Sequence, residues 1–181
     1  SAAAERARAG DTVLIRPGIY RERVAPEYGG SLEQPIVFRG TDAERCILTG
    51  ADPFNPEWTL SGTIWQAALP AALQRDDSPF QEALRISGGT RTWESARPAT
   101  GTLPLCLGQV FVDGVMLKQV QSESDLTSSA GTWLLDATGT QLRIHPPAGI
   151  NHPAQHSWEL SSRRGIFVPA RRGLSHIHLQ D

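Results

Sequence analysis

Short apolar runs set apart by Pro, Gly and charged residues fill most of this chain, which is how an all-β protein punctuates itself. The clearest pattern lies in Gly10–Gly50, GDTVLIRPGIYRERVAPEYGGSLEQPIVFRGTDAERCILTG. Sliding this stretch by 23 positions lays Val13, Leu14, Ile15 and Arg16 on Ile36, Val37, Phe38 and Arg39. The same slide lays Arg21 on Glu44, Glu22 on Arg45 and Val24 on Ile47. A fixed period with matched apolar strands marks units that stack on one another, and a unit this short with no helix suits one coil of a parallel β-helix. Strands are expected at Thr12–Arg16, Tyr20–Val24 and Ile36–Arg39, with Pro17-Gly18 forcing a turn. Gly29-Gly30 would supply backbone freedom in the loop between them. Stacking would pair Glu22 with Arg45 and Arg21 with Glu44 favourably, and would set Arg16 beside Arg39.

On either side the pattern changes. Ala2–Ala9 is rich in helix formers and ends at Gly10, so it predicts a short helix able to cover the open end of a stack. From Ala51 to Ser157 the text turns to hairpins. Gly108–Val120 carries Asp113-Gly114 between apolar alternations, a strong signal for a two-residue turn. Trp133–His145 repeats the arrangement with a longer turn at Thr138 and Gly139. Thr59–Leu69 offers a third strand region, and Ala71–Leu84 a short helix. From Trp158 short strands and tight turns return through WELSS, GIFVPA and LSHIHLQD.

The run GDTVLIRPGIYRERV followed by QPIVFRG resembles the opening coils of right-handed parallel β-helix proteins of the pectate-lyase-like group, which includes polysaccharide lyases and several glycoside hydrolases. The wider layout resembles bacterial β-helical glycosidases of the β-xylosidase type, in which a β-sandwich interrupts the first coils. The resemblance implies a mainly β fold: the start of a right-handed parallel β-helix with an inserted antiparallel β-sandwich-like subdomain. Residues 1–50 would form the cap and first coils, 51–157 the insert, and 158–181 a resumed coil. Because that last coil carries no polar cap, the chain is expected to be the N-terminal part of a longer protein and to self-associate through its open end. The resemblance also implies an extracellular or periplasmic location.

Composition adjusts this picture little. With 39% hydrophobic and 20% charged residues the 181-residue chain is ordinary for one globular domain, or one with a modest subdomain. A net charge of −2 gives no electrostatic case for nucleic acid or an anionic membrane, and no apolar run reaches the ~20 residues of a spanning helix. Cys46 and Cys106 could pair or stay free; their apolar settings favour free thiols.

Candidate chemistry is sparse. Glycoside hydrolysis commonly uses two carboxyl groups about 5–9.5 Å apart. The acids to consider are Asp76, Asp77, Glu82, Glu94, Asp113, Asp125 and Asp136, but Asp113 and Asp136 read as turn residues and no pair stands out. No catalytic residue is therefore assigned. Eliminative cleavage would need a base and calcium, and Lys118 is the sole lysine, with no calcium-loop spacing among the acids. His176 and His178 alternate along one strand, yet nothing brings His145, His152 or His156 to them, so neither a metal nor a cofactor is assigned. Of five tryptophans, Trp65, Trp133 and Trp158 sit in apolar strand text and read as core. Trp58 and Trp93 sit among polar residues and are the candidate platforms for a sugar face.

The expected function is that of a segment of a carbohydrate-active protein, a glycoside hydrolase acting on polysaccharide with its catalytic residues outside this segment. A non-catalytic β-helical surface or glycan-binding protein is the alternative, and a polysaccharide lyase the second. The partner is a polysaccharide or oligosaccharide, and neither nucleic acid nor a membrane.

Overall fold

A computed structural model describes residues 1–42, 45–82 and 103–180. The protein is mainly β and divides into two compact units, one made of Ser1–Gly50 with Gly165–Asp181, the other of Ala51–Arg164.

The first unit opens with helix α1 (Ala2–Arg6). The helix stops short of Gly10 because Ala7 turns extended, at φ −56 and ψ 136, and the Arg8 backbone N–H donates to the Asp11 carboxylate at 2.8 Å. Arg8 Nη1 donates to the carbonyls of Glu5, Arg6 and Ala7, the orphan acceptors at the helix end. Ala4 and Ala7 are buried with Val24, Ile36 and Phe38, where only small side chains let a helix approach so closely.

Strand β1 (Thr12–Ile15), β2 (Gly18–Tyr20), β3 (Ile36–Gly40) and β4 (Cys46–Leu48) follow. β1 pairs with β3 in parallel, and β2 with β4 in parallel. Val13 and Ile36 thus lie on hydrogen-bonded neighbours, but the register corrects the expected one. Val13 faces Phe38, not Ile36, an offset of 25 positions instead of 23. A slip of two keeps every side chain on its face, so the apolar match survives. In the second pair Ile19 faces Ile47, and Val24, expected there, makes a lone parallel bridge to Phe167. With that register Arg39 no longer faces Arg16. Glu22 lies 3.8 Å from the N-terminal ammonium, and Arg39 is opposite Leu14 while its guanidinium donates to Gln180. Glu44, the expected partner of Arg21, lies outside the described residues.

The second unit holds β5 (Ala51–Pro53), β6 (Thr59–Ser61), β7 (Ile64–Ala68), β8 (Val110–Val112), β9 (Val115–Met116), β10 (Lys118–Gln119), helix α2 (Glu123–Ser128), β11 (Thr132–Leu135), β12 (Gln141–His145) and β13 (Trp158–Ser161). Two sheets result, in the orders β10-β11-β12-β7-β6 and β5-β13-β8-β9. Their facing residues, among them Ala67, Trp133 and Ile144 from the first and Val110, Val112 and Trp158 from the second, share one core, as in a β-sandwich. Pairing is antiparallel except for β10 with β11, which run parallel, so the expected purely antiparallel layer is corrected to a mixed one. β13 pairs with β5 and β8, which makes Trp158–Ser161 a strand of this unit.

The β8–β9 turn has φ of +49 at Asp113 and +79 at Gly114, the double left-handed geometry that favours Asp-Gly. Of the expected helix over Ala71–Leu84, described as far as Glu82, there is a single 3-10 turn at Ala71–Leu73. Pro79 has no N–H to continue a helix, and the Gln74 side chain turns back onto the Leu69 carbonyl at 2.5 Å. The outer face of the five-stranded sheet is covered at one end by α2, whose Leu126 is buried with Ile64, Val120 and Leu134. Toward the other end of that face Thr59, Gln66, Ala68 and Gln141 are exposed or half-buried among the described residues.

The last strand, β14 (Ile177–Gln180), returns to the first unit and pairs in parallel with β3, giving the sheet order β1-β3-β14.

Candidate functional site

At that end, on the second unit, lies a cleft of about 740 Å³, open to solvent. Strands and a loop build it. Gln66 and Ala68 of β7, Gln141 of β12 and Thr59 of β6 occupy one face of the sheet, because Thr59 stands opposite Gln66 and Gln141 opposite Ala68. Period-two alternation sends Trp65, Ala67 and Leu142 the other way, toward or into the core. The loop after β5 forms the wall with Pro53, Phe54, Asn55 and Glu57. Phe54 is itself buried and anchors that loop to the core.

The side chains of Asn55, Glu57, Thr59, Gln66 and Gln141 line the cleft and make no hydrogen bond with any described residue. Among the described lining residues Glu57 is the sole ionisable group, and none is cationic. One carboxylate cannot perform the two-carboxyl chemistry of glycoside hydrolysis.

The described residues that the sequence singled out are not among those lining the cleft. Trp58 lies between two lining residues but packs into the core, edge-on to Phe54 at 5.8 Å and tilted on Trp158 at 5.0 Å. Trp93 and Glu94 lie outside the described residues. Trp133 and Trp158 are fully buried, and the Trp158 indole N–H donates to the Pro153 carbonyl at 2.7 Å.

Several of the acids are engaged locally. Asp125 takes part in a reciprocal cap of α2: its N–H donates to Ser122 Oγ, whose hydroxyl donates to the Asp125 carboxylate. Burial pushes the Asp136 carboxyl up, but the Thr138 hydroxyl and the backbone N–H groups of Gln141 and Thr140 outweigh it and hold it below the usual range. Asp77 pairs with Arg75 and Glu82 with Arg164. Glu123 meets the Arg143 guanidinium. Among the described residues no three of His, Cys, Asp and Glu gather to hold a metal, and no helix is long and apolar enough to cross a membrane. Both cysteines are free and half-buried; burial raises the Cys106 thiol pKa, opposed by hydrogen bonds from Gly108 and Gln119.

Gln66 and Gln141 were not singled out by sequence reasoning. They are 75 positions apart, and their only signal is an outward place in an alternating strand.

With the sheets and the cleft defined, the chain belongs to the mainly β class, with one parallel-stranded unit and one sandwich-like unit. Solved structures share this fold. XylC in complex with xylose matches with a TM-score of 0.71 at 22% identity, over 98% of this chain and 30% of that one. A glycoside hydrolase matches with a TM-score of 0.50 at 14% identity, over 97% of this chain and 43% of that one. A 56-residue stretch, 31% of this chain, is 38% identical to the uncharacterized protein YwoF of Bacillus subtilis (strain 168) and covers 12% of it. No family model matches the chain. The chain therefore spans less than half the length of each of these proteins.

Proposed function

We propose that this chain is the N-terminal part of a carbohydrate-active protein, a glycoside hydrolase acting on polysaccharide outside the cytoplasm. Its first unit is the start of a right-handed parallel β-helix, and the catalytic acids lie on coils beyond this segment. The observation carrying the proposal is architectural: three parallel strands built from segments on both sides of the sandwich-like unit, the arrangement shared along nearly the whole chain with XylC. Leu179 adds support. It lies on the same face as the core residue Phe38, its partner in register, yet is 62% exposed, as expected where another coil would cover it. The single carboxylate of the cleft is consistent with catalysis being placed elsewhere.

The test is release of reducing sugar from a panel of neutral and acidic polysaccharides by the gene product that carries this chain. Release without unsaturated ends supports a hydrolase. Unsaturated ends would move the assignment to a lyase, and inactivity on every polysaccharide would leave the non-catalytic glycan-binding or structural role.

A further inference from the structure

We propose that the cleft of the second unit is a subsite for the neutral pyranose units of an oligosaccharide, with Gln66 and Gln141 as its discriminating groups. The inference rests on the carbohydrate reading above for its setting, and on the cleft for its chemistry. A carboxamide presents a donor and an acceptor side by side, and so does a pair of neighbouring sugar hydroxyls. Gln66 faces Arg143, two residues from Gln141 along β12, so the two amides are diagonal neighbours on one sheet face, roughly 7–8 Å apart at the backbone. Ala68, opposite Gln141, is small and leaves the floor between them low. Thr59 extends the polar row on β6, and Glu57 and Asn55 close it from the loop. None of these five polar side chains is used within the described protein.

Three of the groups stand on strands, so the spacing is rigid and the ordering cost of binding falls on the ligand. The volume of about 740 Å³ lies within the roughly 300–1,000 Å³ of small-molecule sites, and its openness suits a chain laid across it, not an enclosed monosaccharide. Charge narrows the class further. Among the described residues Glu57 is the only ionisable group lining the cleft, and Arg143, opposite Gln66 on the same face, is paired with Glu123, so the lining offers no free cation and disfavours uronates, sulfated sugars and phosphorylated ligands.

Xylohexaose, cellohexaose, mannohexaose and oligogalacturonate should be titrated into the 181-residue chain by calorimetry, with tryptophan fluorescence in parallel because Trp58 stands between Glu57 and Thr59. At least one neutral hexaose should bind, and oligogalacturonate should bind about tenfold more weakly or not at all. Gln66→Ala and Gln141→Ala should each weaken the neutral ligand roughly threefold to tenfold, the loss of one or two hydrogen bonds, with the thermal midpoint unchanged. A neutral ligand that binds both variants as well as wild type overturns the cleft and leaves the carbohydrate reading standing. So does absence of neutral binding while the gene product still releases sugar. Preference for oligogalacturonate overturns the charge argument and the proposal with it.

Discussion

The imidazole of His156 sits with Nδ1 2.7 Å from Asp113 Oδ2, across a hairpin tip, while Asp113 Oδ1 accepts the Ser157 backbone N–H at 3.0 Å. Asp113 is therefore the turn residue that tolerates positive φ and also the tie between the β8–β9 tip and the segment before β13. The His156 hydrogen bond, then the Ser157 N–H, hold its carboxyl below the usual aspartate range. A carboxylate with a depressed folded pKa contributes stability that is present above about pH 3.8 and lost as pH falls through the folded value. Asp113→Asn keeps the turn preference and removes the charge. Its denaturation midpoint should fall below wild type at neutral pH and converge with it under acid conditions. A difference that persists unchanged below pH 3 would rule out the charge as the cause.

Gly30 is constrained by space, not by φ. A Cβ there would lie 2.6 Å from the Gln34 carbonyl oxygen, 2.7 Å from Pro35 Cα and 2.8 Å from the His176 carbonyl oxygen, all backbone. The freedom expected of Gly29-Gly30 is thus better described as close approach, since neither residue adopts positive φ. Gly30→Ala should cost about 2–3 kcal/mol, because backbone must move. Gly149, at φ +94 with nothing within 4 Å, supplies the contrast: its Ala variant should lose only about 1 kcal/mol. Urea unfolding of the two variants separates crowding from conformation.

These cases show where the sequence spoke clearly. Asp113-Gly114 announced its hairpin because few residue pairs accept two successive left-handed positions. The parallel neighbours Val13 and Phe38 were legible only to within two residues, since a slip of two preserves which side chains point inward and leaves no trace in the pattern. The second pair was missed by five because β2 begins at Gly18, whose N–H is held by the Arg45 carbonyl, a contact that no periodicity encodes. The cleft was not legible. Thr59, Gln66 and Gln141 are ordinary outward strand residues until β12 pairs with β7 and β7 with β6, and tryptophan drew attention to Trp58, whose ring packs into the core.

Arg8 joins two tasks. Its guanidinium carbon lies 3.4 Å from the Tyr28 ring centroid while Nη1 closes the end of α1. Arg8→Lys keeps the charge but loses the planar stack and the geometry for three carbonyls, so both Arg8→Lys and Arg8→Ala should destabilise, by about 1 kcal/mol or slightly more. A thermal melt in which Arg8→Lys matches wild type would show that charge alone matters at this site.

Trp158 anchors the second core. It is buried, tilted on Trp58, and its N–H satisfies the Pro153 carbonyl. Trp158→Phe keeps an apolar ring but removes the indole donor, leaving the Pro153 carbonyl to the His156 N–H alone, and opens a void beside Trp58. A loss of about 2–4 kcal/mol follows from the cavity and the broken bond together. Fluorescence of the remaining tryptophans should shift to longer wavelength as Trp58 gains water, and an unshifted spectrum would mean that the Phe54 contact alone keeps it dry.

β14 is the edge of its sheet among the described residues, and Leu179 beside it is a large apolar side chain with too little cover. An unpaired parallel edge next to exposed apolar surface invites another strand. The 181-residue chain alone should therefore associate in a concentration-dependent way, and Leu179→Lys should shift it toward monomer, because a charge on that face cannot be buried between stacked strands. Leu32, 84% exposed but outside any strand, provides the control: Leu32→Lys should leave association unchanged. Sedimentation velocity distinguishes the cases. If both lysine variants reduce association equally, general surface hydrophobicity and not the β14 edge drives it, and the argument that a further coil belongs over Leu179 loses its support.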